Sequence, residues 1–216
     1  MDDTSAELRR VADSPFGPVR IGDPRGPVLL FTALGLAGVG LLWPLLAAFP
    51  GDTARYAAAA RHAGILQLLG GLALAGAGVA LAVVVTRLTR IAQSFAGGDY
   101  GAVARAAAAA AAALIGVSAA CLATPAAVRL LGGTPGADAA TLPRLGFVVL
   151  TLPGATAAAV AVFGTSFAIW RAGRMSTVLA ILGFAAAAIL LAGILAVPLL
   201  VLPAWLVAAA FLTRRE

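Results

Sequence analysis

The sequence predicts an all-α fold, a polytopic transmembrane helix bundle of six spans with both termini in the cytoplasm. Hydrophobic residues make up 62% of the chain and charged residues only 11%, whereas about a quarter of the residues in an average globular domain are charged. The mean hydropathy is +1.01. Several apolar runs reach the roughly 20 residues that a helix needs to cross about 30 Å of hydrocarbon. We therefore expect an integral membrane protein.

The basic residues point to a membrane rather than to nucleic acid. All 15 of them are arginines, in a chain rich in Ala and Gly, a composition typical of a GC-rich bacterial genome. They stand singly or in pairs at the ends of apolar runs, which is the pattern that sets membrane topology. We therefore expect the inner membrane of a bacterium. The expected partners are membrane lipids and a protein partner or a second copy of the chain, with no nucleic acid.

Residues 1–27 are predicted to form a cytoplasmic N-terminal arm that mixes acids with arginines. Thr4 stands three residues before Glu7, which is the capping-box arrangement at the start of a short helix. A secretory signal peptide starts with basic residues and continues at once into an apolar core, and this arm has neither feature. The first span is therefore expected to be a retained anchor.

The transmembrane bundle is predicted over residues 28–213, and its first two spans cover about 28–49 and 63–86. Trp43 lies near the far end of the first span, where an amphipathic ring is favoured at the membrane interface. Pro50 and the residues after it end that span.

The third and fourth spans are predicted over about 106–131 and 145–170. The third begins with eight consecutive alanines, which form helices well but are only weakly hydrophobic. We therefore expect this span to prefer protein neighbours to lipid. Pro153 and Gly154 predict a kink in the fourth span.

The apolar stretch from Ser176 to Thr213 is too long for one straight crossing. At 1.5 Å per residue it would measure about 57 Å, nearly twice the hydrocarbon thickness. Pro198 and Pro203 are the available helix breakers, so two spans are predicted, at about 176–196 and 198–213. The alternative is one long kinked helix, which gives five spans in all.

The arginine distribution discriminates between these topologies. With six spans, eleven arginines fall on one side of the membrane and four on the other, and the positive-inside rule places the richer side in the cytoplasm. A five-span topology would place Arg214 and Arg215 on the outer side of the membrane. Six spans with both termini inside are therefore preferred.

The stretch from Arg87 to Arg105, RLTRIAQSFAGGDYGAVAR, is the most substantial polar interruption among the spans. Leu88, Ile91 and Phe95 are spaced as one apolar helix face, which predicts that span two continues as an amphipathic helix on the inner interface. Gly97 and Gly98 are predicted to end that helix, and Asp99 to cap span three. The candidate contacts to a partner or to lipid are Arg87, Arg90, Phe95, Asp99 and Tyr100.

Polar groups within the spans form a second candidate site. Hydroxyl and amide groups in membrane helices usually hydrogen-bond across helix interfaces, but they also line the paths of neutral solutes. Gln67 is the most notable because it carries a full amide. The predicted intramembrane polar cluster consists of Gln67, Ser118, Thr124 and Thr156.

The sequence argues against enzymatic and cofactor chemistry. The chain offers one Cys and one His, too few for a structural zinc site. A phosphate-binding loop requires a Lys, and the chain has none. The sequence also lacks a G-x-S-x-G motif whose serine His62 could activate. No catalytic residue, metal or cofactor is predicted, and Cys121 is expected to be a packing residue.

The stretch FGTSFAIWRAGRMSTVLAILGFAAAAILLAG, residues 163–193, resembles a segment of several uncharacterised small six-helix bacterial membrane protein families. In these families a span ends in a Trp-Arg or Arg-Ser-Gly turn and a Leu-Gly-rich span follows. The resemblance implies the six-span architecture and no assigned chemistry.

Two functions stay open from the sequence. The first is a non-enzymatic structural or regulatory membrane subunit that docks a partner through its cytoplasmic face. The second is a small permease-like transporter of a neutral or hydrophobic solute. The sparseness of polar groups within the spans favours the first, because intramembrane ionisable groups mark transport paths.

Overall fold

The computed structural model describes residues 24–46, 58, 64–96, 101–134, 141–192 and 198–212. Every regular element within these ranges is helical, which confirms the predicted all-α class. The described part of the chain contains six helices of more than ten residues. They are α1, Arg25–Leu46; α2, Ile65–Ala96; α3, Ala102–Leu130; α4, Thr141–Arg171; α5, Thr177–Leu191; and α6, Pro198–Leu212.

Helices α1 to α4 are each long and apolar enough to cross a membrane. Helices α5 and α6 have 15 residues each, which makes them about 22 Å long at 1.5 Å per residue. The stretch from Ser176 to Thr213 is thus two helices rather than one, and its break falls between Leu191 and Pro198. The turn was predicted at residues 196–199; its first part lies outside the described residues, and α6 already begins at Pro198.

Consecutive helices pack against each other in antiparallel pairs. Gly38 of α1 lies against Leu74 of α2, Gly78 of α2 against Ala112 of α3, and Gly164 of α4 against Ala104 of α3. Helix α6 packs on both α5 and α1, and α2 also contacts α4. The six helices therefore form a closed bundle in which the last helix returns to the first.

Large aliphatic side chains of α2 fill the centre of the bundle, and small residues of α3 let the neighbouring helices approach. Leu81, Val84 and Leu88 of α2 are fully buried. In the alanine run of α3, Ala108 and Ala111 are buried while other alanines are exposed. The expected preference for protein neighbours is therefore met on one face of α3 only.

Helix α2 extends ten residues beyond the predicted end of span two. It has 32 residues, which gives a length of about 48 Å. The predicted continuation through Phe95 is confirmed, but its buried face is directed at the protein: Leu88 and Ala92 belong to the hydrophobic core of the bundle. The amphipathic pattern thus reflects packing against the bundle rather than a helix lying on the lipid interface.

The fourth span contains a π-helical turn where a kink was predicted. Residues Leu150–Gly154 form this turn, and Pro153 lies inside it. A proline removes a backbone donor and clashes with the preceding turn, and local π-helical geometry with nearby hydroxyl groups is a known accommodation in membrane helices. Here Thr151 donates to the Phe147 carbonyl at 2.9 Å and lies 3.5 Å from the Val148 carbonyl, which in π-helical geometry is the carbonyl that loses its backbone donor to Pro153.

Candidate functional site

Most arginines in the described part of the chain lie at one end of the bundle, which we call the basic end. The first residue of α1 and the penultimate residue of α6 meet there, because the guanidinium carbon of Arg25 lies 4.9 Å from the centre of the Phe211 ring. Arg129 and Arg144 lie near the opposite end, where α3 ends and α4 begins. The arginines of the basic end are Arg25, Arg87, Arg90, Arg105, Arg171 and Arg174.

Three arginines of the basic end expose their side chains. They are Arg25, Arg90 and Arg171. Clustered charge of one sign attracts the opposite sign, so these three side chains suit contact with an anionic group.

Phe95 and Arg174 connect two separate segments at the basic end. The Arg174 guanidinium carbon lies 3.4 Å from the centre of the Phe95 ring, and Phe95 is nevertheless 51% exposed. This distance is well within the roughly 6 Å range of a cation–π contact. The stack joins the end of α2 to the connection between α4 and α5.

The backbone positions Arg174 through the turn that ends α4. Gly173 adopts a left-handed φ of +69°, its N–H donates to the Trp170 carbonyl, and the Arg174 N–H donates to the Ile169 carbonyl. These two bonds define a Schellman cap, in which glycine accepts positive φ at no steric cost. The Arg-Ala-Gly-Arg sequence was a signal for this turn, but the sequence did not indicate its contact with Phe95.

The structure places three of the five predicted contact residues on the last turns of α2. Arg87 is half-buried, and Arg90 and Phe95 are exposed. Asp99 and Tyr100 lie outside the described residues. The N-cap of α3 is Gly101, which has no side-chain cap hydrogen bond, so α3 begins four residues earlier than predicted.

Gly101 brings the start of α3 directly onto α2. A Cβ atom at this position would lie 2.5 Å from Thr89 Cβ and 3.1 Å from Arg105 Nη1. Thr89 is fully buried and donates to the Val85 carbonyl at 2.8 Å. Sequence reasoning missed Thr89 and Gly101, because only the three-dimensional packing shows that the two residues touch.

The predicted intramembrane polar cluster is dispersed over three helices. The Gly64 N–H donates to Gln67 Oε1 at 2.6 Å, which is the capping-box role of an amide three residues into a helix. Ser118 is buried and donates to the Gly146 carbonyl on α4 at 2.7 Å. Thr124 donates to the Ala120 carbonyl in its own helix, and Thr156 is exposed on α4.

Ser118 alone among these four residues bonds across a helix interface. Its contact marks a close approach of α3 and α4, since a Cβ on Gly146 would lie 2.7 Å from Cys121 Cβ and 2.9 Å from the Ser118 carbonyl oxygen. Small residues allow such approach between membrane helices. Ser118 and Gly146 therefore form a packing contact between α3 and α4.

Helices α2 and α3 form an apolar groove of about 330 Å³ on their outer side. It runs from Gly116 to Leu131 along α3 and faces Leu68, Leu72 and Ala75 of α2. Thr124 is the one lining residue from the predicted polar cluster, and its hydroxyl already bonds within its helix. The groove is thus built to accept apolar groups.

The chain has no recognisable relatives among the proteins with which it was compared: no protein-family model matches it, and neither does any curated protein or solved structure. The basic end offers exposed charge and an aromatic surface, whereas the groove offers apolar volume alone. These two surfaces support different functions.

Proposed function

We propose that this chain is a multi-pass protein of the bacterial inner membrane and acts as a non-enzymatic structural or regulatory subunit that docks a partner. The four long apolar helices support the membrane location. Large hydrophobic side chains such as Leu30, Leu72 and Val117 are more than half exposed on the bundle surface, which suits contact with lipid chains.

The proposed topology has six spans with the basic end in the cytoplasm. Arginine-rich ends of membrane helices stay on the cytoplasmic side, and the contact between Arg25 and Phe211 brings the start of α1 and the end of α6 to the same end. The short helices α5 and α6 complete the six spans if the bilayer thins locally or flanking side chains reach the interface, as short hydrophobic stretches permit.

The observation that carries the docking role is the exposed Phe95 ring beneath Arg174. An aromatic ring and arginines on one surface are the residue types enriched at the centres of protein interfaces. The stack holds this surface between α2 and the α4–α5 connection, so a partner meets a preformed patch. We assign the docking surface to Arg87, Arg90, Phe95, Asp99 and Tyr100.

Purification from native membranes in mild detergent tests this role. A stoichiometric protein should accompany the wild-type chain, and it should be lost when Asp99 and Tyr100 are changed to Ala or when Arg90 is changed to Glu. Arg144→Glu is the matched control, because Arg144 is also exposed but lies at the opposite end. Recovery of the wild-type chain alone would overturn the docking role.

A permease for a neutral or hydrophobic solute is the alternative, and the groove between α2 and α3 is the observation that favours it. Its volume of about 330 Å³ falls within the usual range of ligand sites. However, Gln67 does not line it, and only two neighbouring helices form it. Ala120 lines the groove, so Ala120→Trp would fill it. Solute flux into proteoliposomes that contain the wild-type chain, and loss of this flux in Ala120→Trp, would favour transport.

A further inference from the structure

One exposed face of α4 combines aromatic rings with an arginine at the basic end. Phe163, Phe167 and Trp170 are 51%, 37% and 39% exposed, and Arg171 is exposed beside them. With about 100° of rotation per residue, these four positions fall within roughly 100° of one another around the helix. We call these four residues the aromatic face.

Three rings of the aromatic face take part in aromatic pairs. The ring centres of Phe167 and Trp170 are 6.4 Å apart, and Phe163 lies 4.9 Å from the ring of Phe184 on α5. Both distances fall within the range of favourable aromatic pairs, about 4.5–7 Å. The face therefore presents exposed aromatic rings with a cation at its end.

The length of the aromatic face matches one leaflet of a bilayer. From Phe163 to Arg171 the helix rises about 12 Å, close to half of the roughly 30 Å hydrocarbon thickness. Trp170 beside Arg171 is the residue type that marks the headgroup level. Phe163 and Phe167 then lie at the depth of the acyl chains.

Arg171 is positioned to bind an anionic headgroup. Its side chain is exposed, and a guanidinium engages phosphate through paired N–H donors. Arg174 lies three residues further along the same turn. The stack on Phe95 occupies the face of the Arg174 guanidinium and leaves its N–H edge available. The charge of Arg174 adds to the positive field around Arg171.

We propose that the aromatic face binds an anionic phospholipid of the cytoplasmic leaflet, with the phosphate at Arg171 and an acyl chain along Phe163 and Phe167. A free phosphate would use the cation but not the aromatic rings, whereas a phospholipid uses both. This inference rests on the proposed membrane location and sidedness but not on the docking of a protein partner.

The test measures thermal unfolding of the delipidated protein in a neutral detergent. Phosphatidylglycerol and phosphatidylcholine with the same acyl chains are added in separate titrations. Phosphatidylglycerol should raise the Tm at lower concentration than phosphatidylcholine. Arg171→Gln should weaken the phosphatidylglycerol effect about fivefold, which corresponds to the roughly 1 kcal/mol that one arginine contributes at an anionic membrane surface.

Two variants separate this site from general charge effects. Arg144→Gln removes the same charge from an exposed position at the other end of α4 and should leave the lipid titration unchanged. Phe167→Ala should weaken the effects of both lipids, because it removes apolar contact rather than charge. The Arg171 side chain is exposed, so its variant is expected to fold.

Three results would overturn the inference. The first is an equal rise in Tm with phosphatidylglycerol and phosphatidylcholine. The second is an equal loss of the phosphatidylglycerol effect in Arg144→Gln and Arg171→Gln. The third is a Tm increase from inorganic phosphate that equals the increase from phosphatidylglycerol at the same concentration. The last result would identify a free anion as the ligand. A positive lipid result with no co-purifying protein would leave this inference standing and refute the docking role alone.

Discussion

The guanidinium of Arg174 stacks on the ring of Phe95 although 79 positions separate the two residues in the chain. Phe95 belongs to the last turn of α2, and Arg174 follows the Schellman cap of α4. This contact holds together two segments of the basic end, and it positions Phe95 on the surface that we assign to docking.

Removal of the stack should lower the free energy of unfolding by a small, measurable amount. In a double-mutant cycle with Phe95→Leu and Arg174→Gln, we expect a coupling energy of about 0.5–1 kcal/mol, as for cation–π pairs at exposed sites. Denaturation by SDS in mixed micelles provides the measurement. A cycle between Phe95 and Arg90, which do not stack, is the control, and equal coupling in the two cycles would contradict the prediction.

Gly101→Ala should destabilise the protein by about 1–3 kcal/mol, the usual cost of overpacking. The added Cβ would lie 2.5 Å from Thr89 Cβ, which has no freedom to move away from its own backbone. The φ of −95° at Gly101 suits any residue, so the cost arises from contact alone. The same denaturation assay measures it.

Gly40→Ala is the matched control for that prediction. A Cβ at Gly40 would meet nothing within 4 Å, and replacing Gly by Ala inside a helix stabilises by roughly 0.5–1 kcal/mol. The two substitutions should therefore have opposite signs. A neutral Gly101→Ala would show that α2 and α3 are further apart than the structure indicates.

Ser118→Ala should cost about 0.6 kcal/mol and at most about 1.7 kcal/mol, the measured range for hydrogen bonds between membrane helices. Its hydroxyl bonds the Gly146 carbonyl of α4. Thr156→Ala removes a bond within one helix from an exposed residue and should change the free energy of unfolding less. Equal effects of the two substitutions would argue against a specific contact between α3 and α4.

Cysteine labelling tests the proposed sidedness. In a Cys121→Ala background, cysteines that replace Arg25 and Phe211 should react with a membrane-impermeant maleimide in inside-out vesicles. A cysteine in place of Arg144 should react only in right-side-out vesicles. The contact between Arg25 and Phe211 requires the first two positions to behave alike, and reaction from opposite sides would contradict the closed bundle.

The helical class and the approximate helix positions were predictable from the sequence because both depend on local composition. Apolar length determines which segments form long helices, and Pro198 indicated the break that separates α5 from α6. The end of α2 was less predictable. The apolar spacing of Leu88, Ile91 and Phe95 indicated a helical continuation but could not show whether lipid or protein covers its apolar side.

The candidate sites were predictable only in part, for a related reason. Arg90 and Phe95 are conspicuous in sequence as polar and aromatic residues at the end of an apolar run. Arg174 is brought to Phe95 by the packing of α2 against α4, which no local pattern encodes. Gln67 stands out in the sequence because of its amide. In the structure its Oε1 accepts a hydrogen bond from the Gly64 N–H, so the amide caps the start of its own helix.

Site-specific photo-crosslinking in native membranes tests the docking role of the basic end most directly. A photoreactive phenylalanine analogue would replace Phe95 in one variant and Leu145 in the other. Both side chains are 51% exposed, and they lie at opposite ends of the bundle. We expect one discrete protein adduct from position 95 and none from position 145. Absence of an adduct from position 95, or the same adduct from both positions, would contradict docking at the basic end.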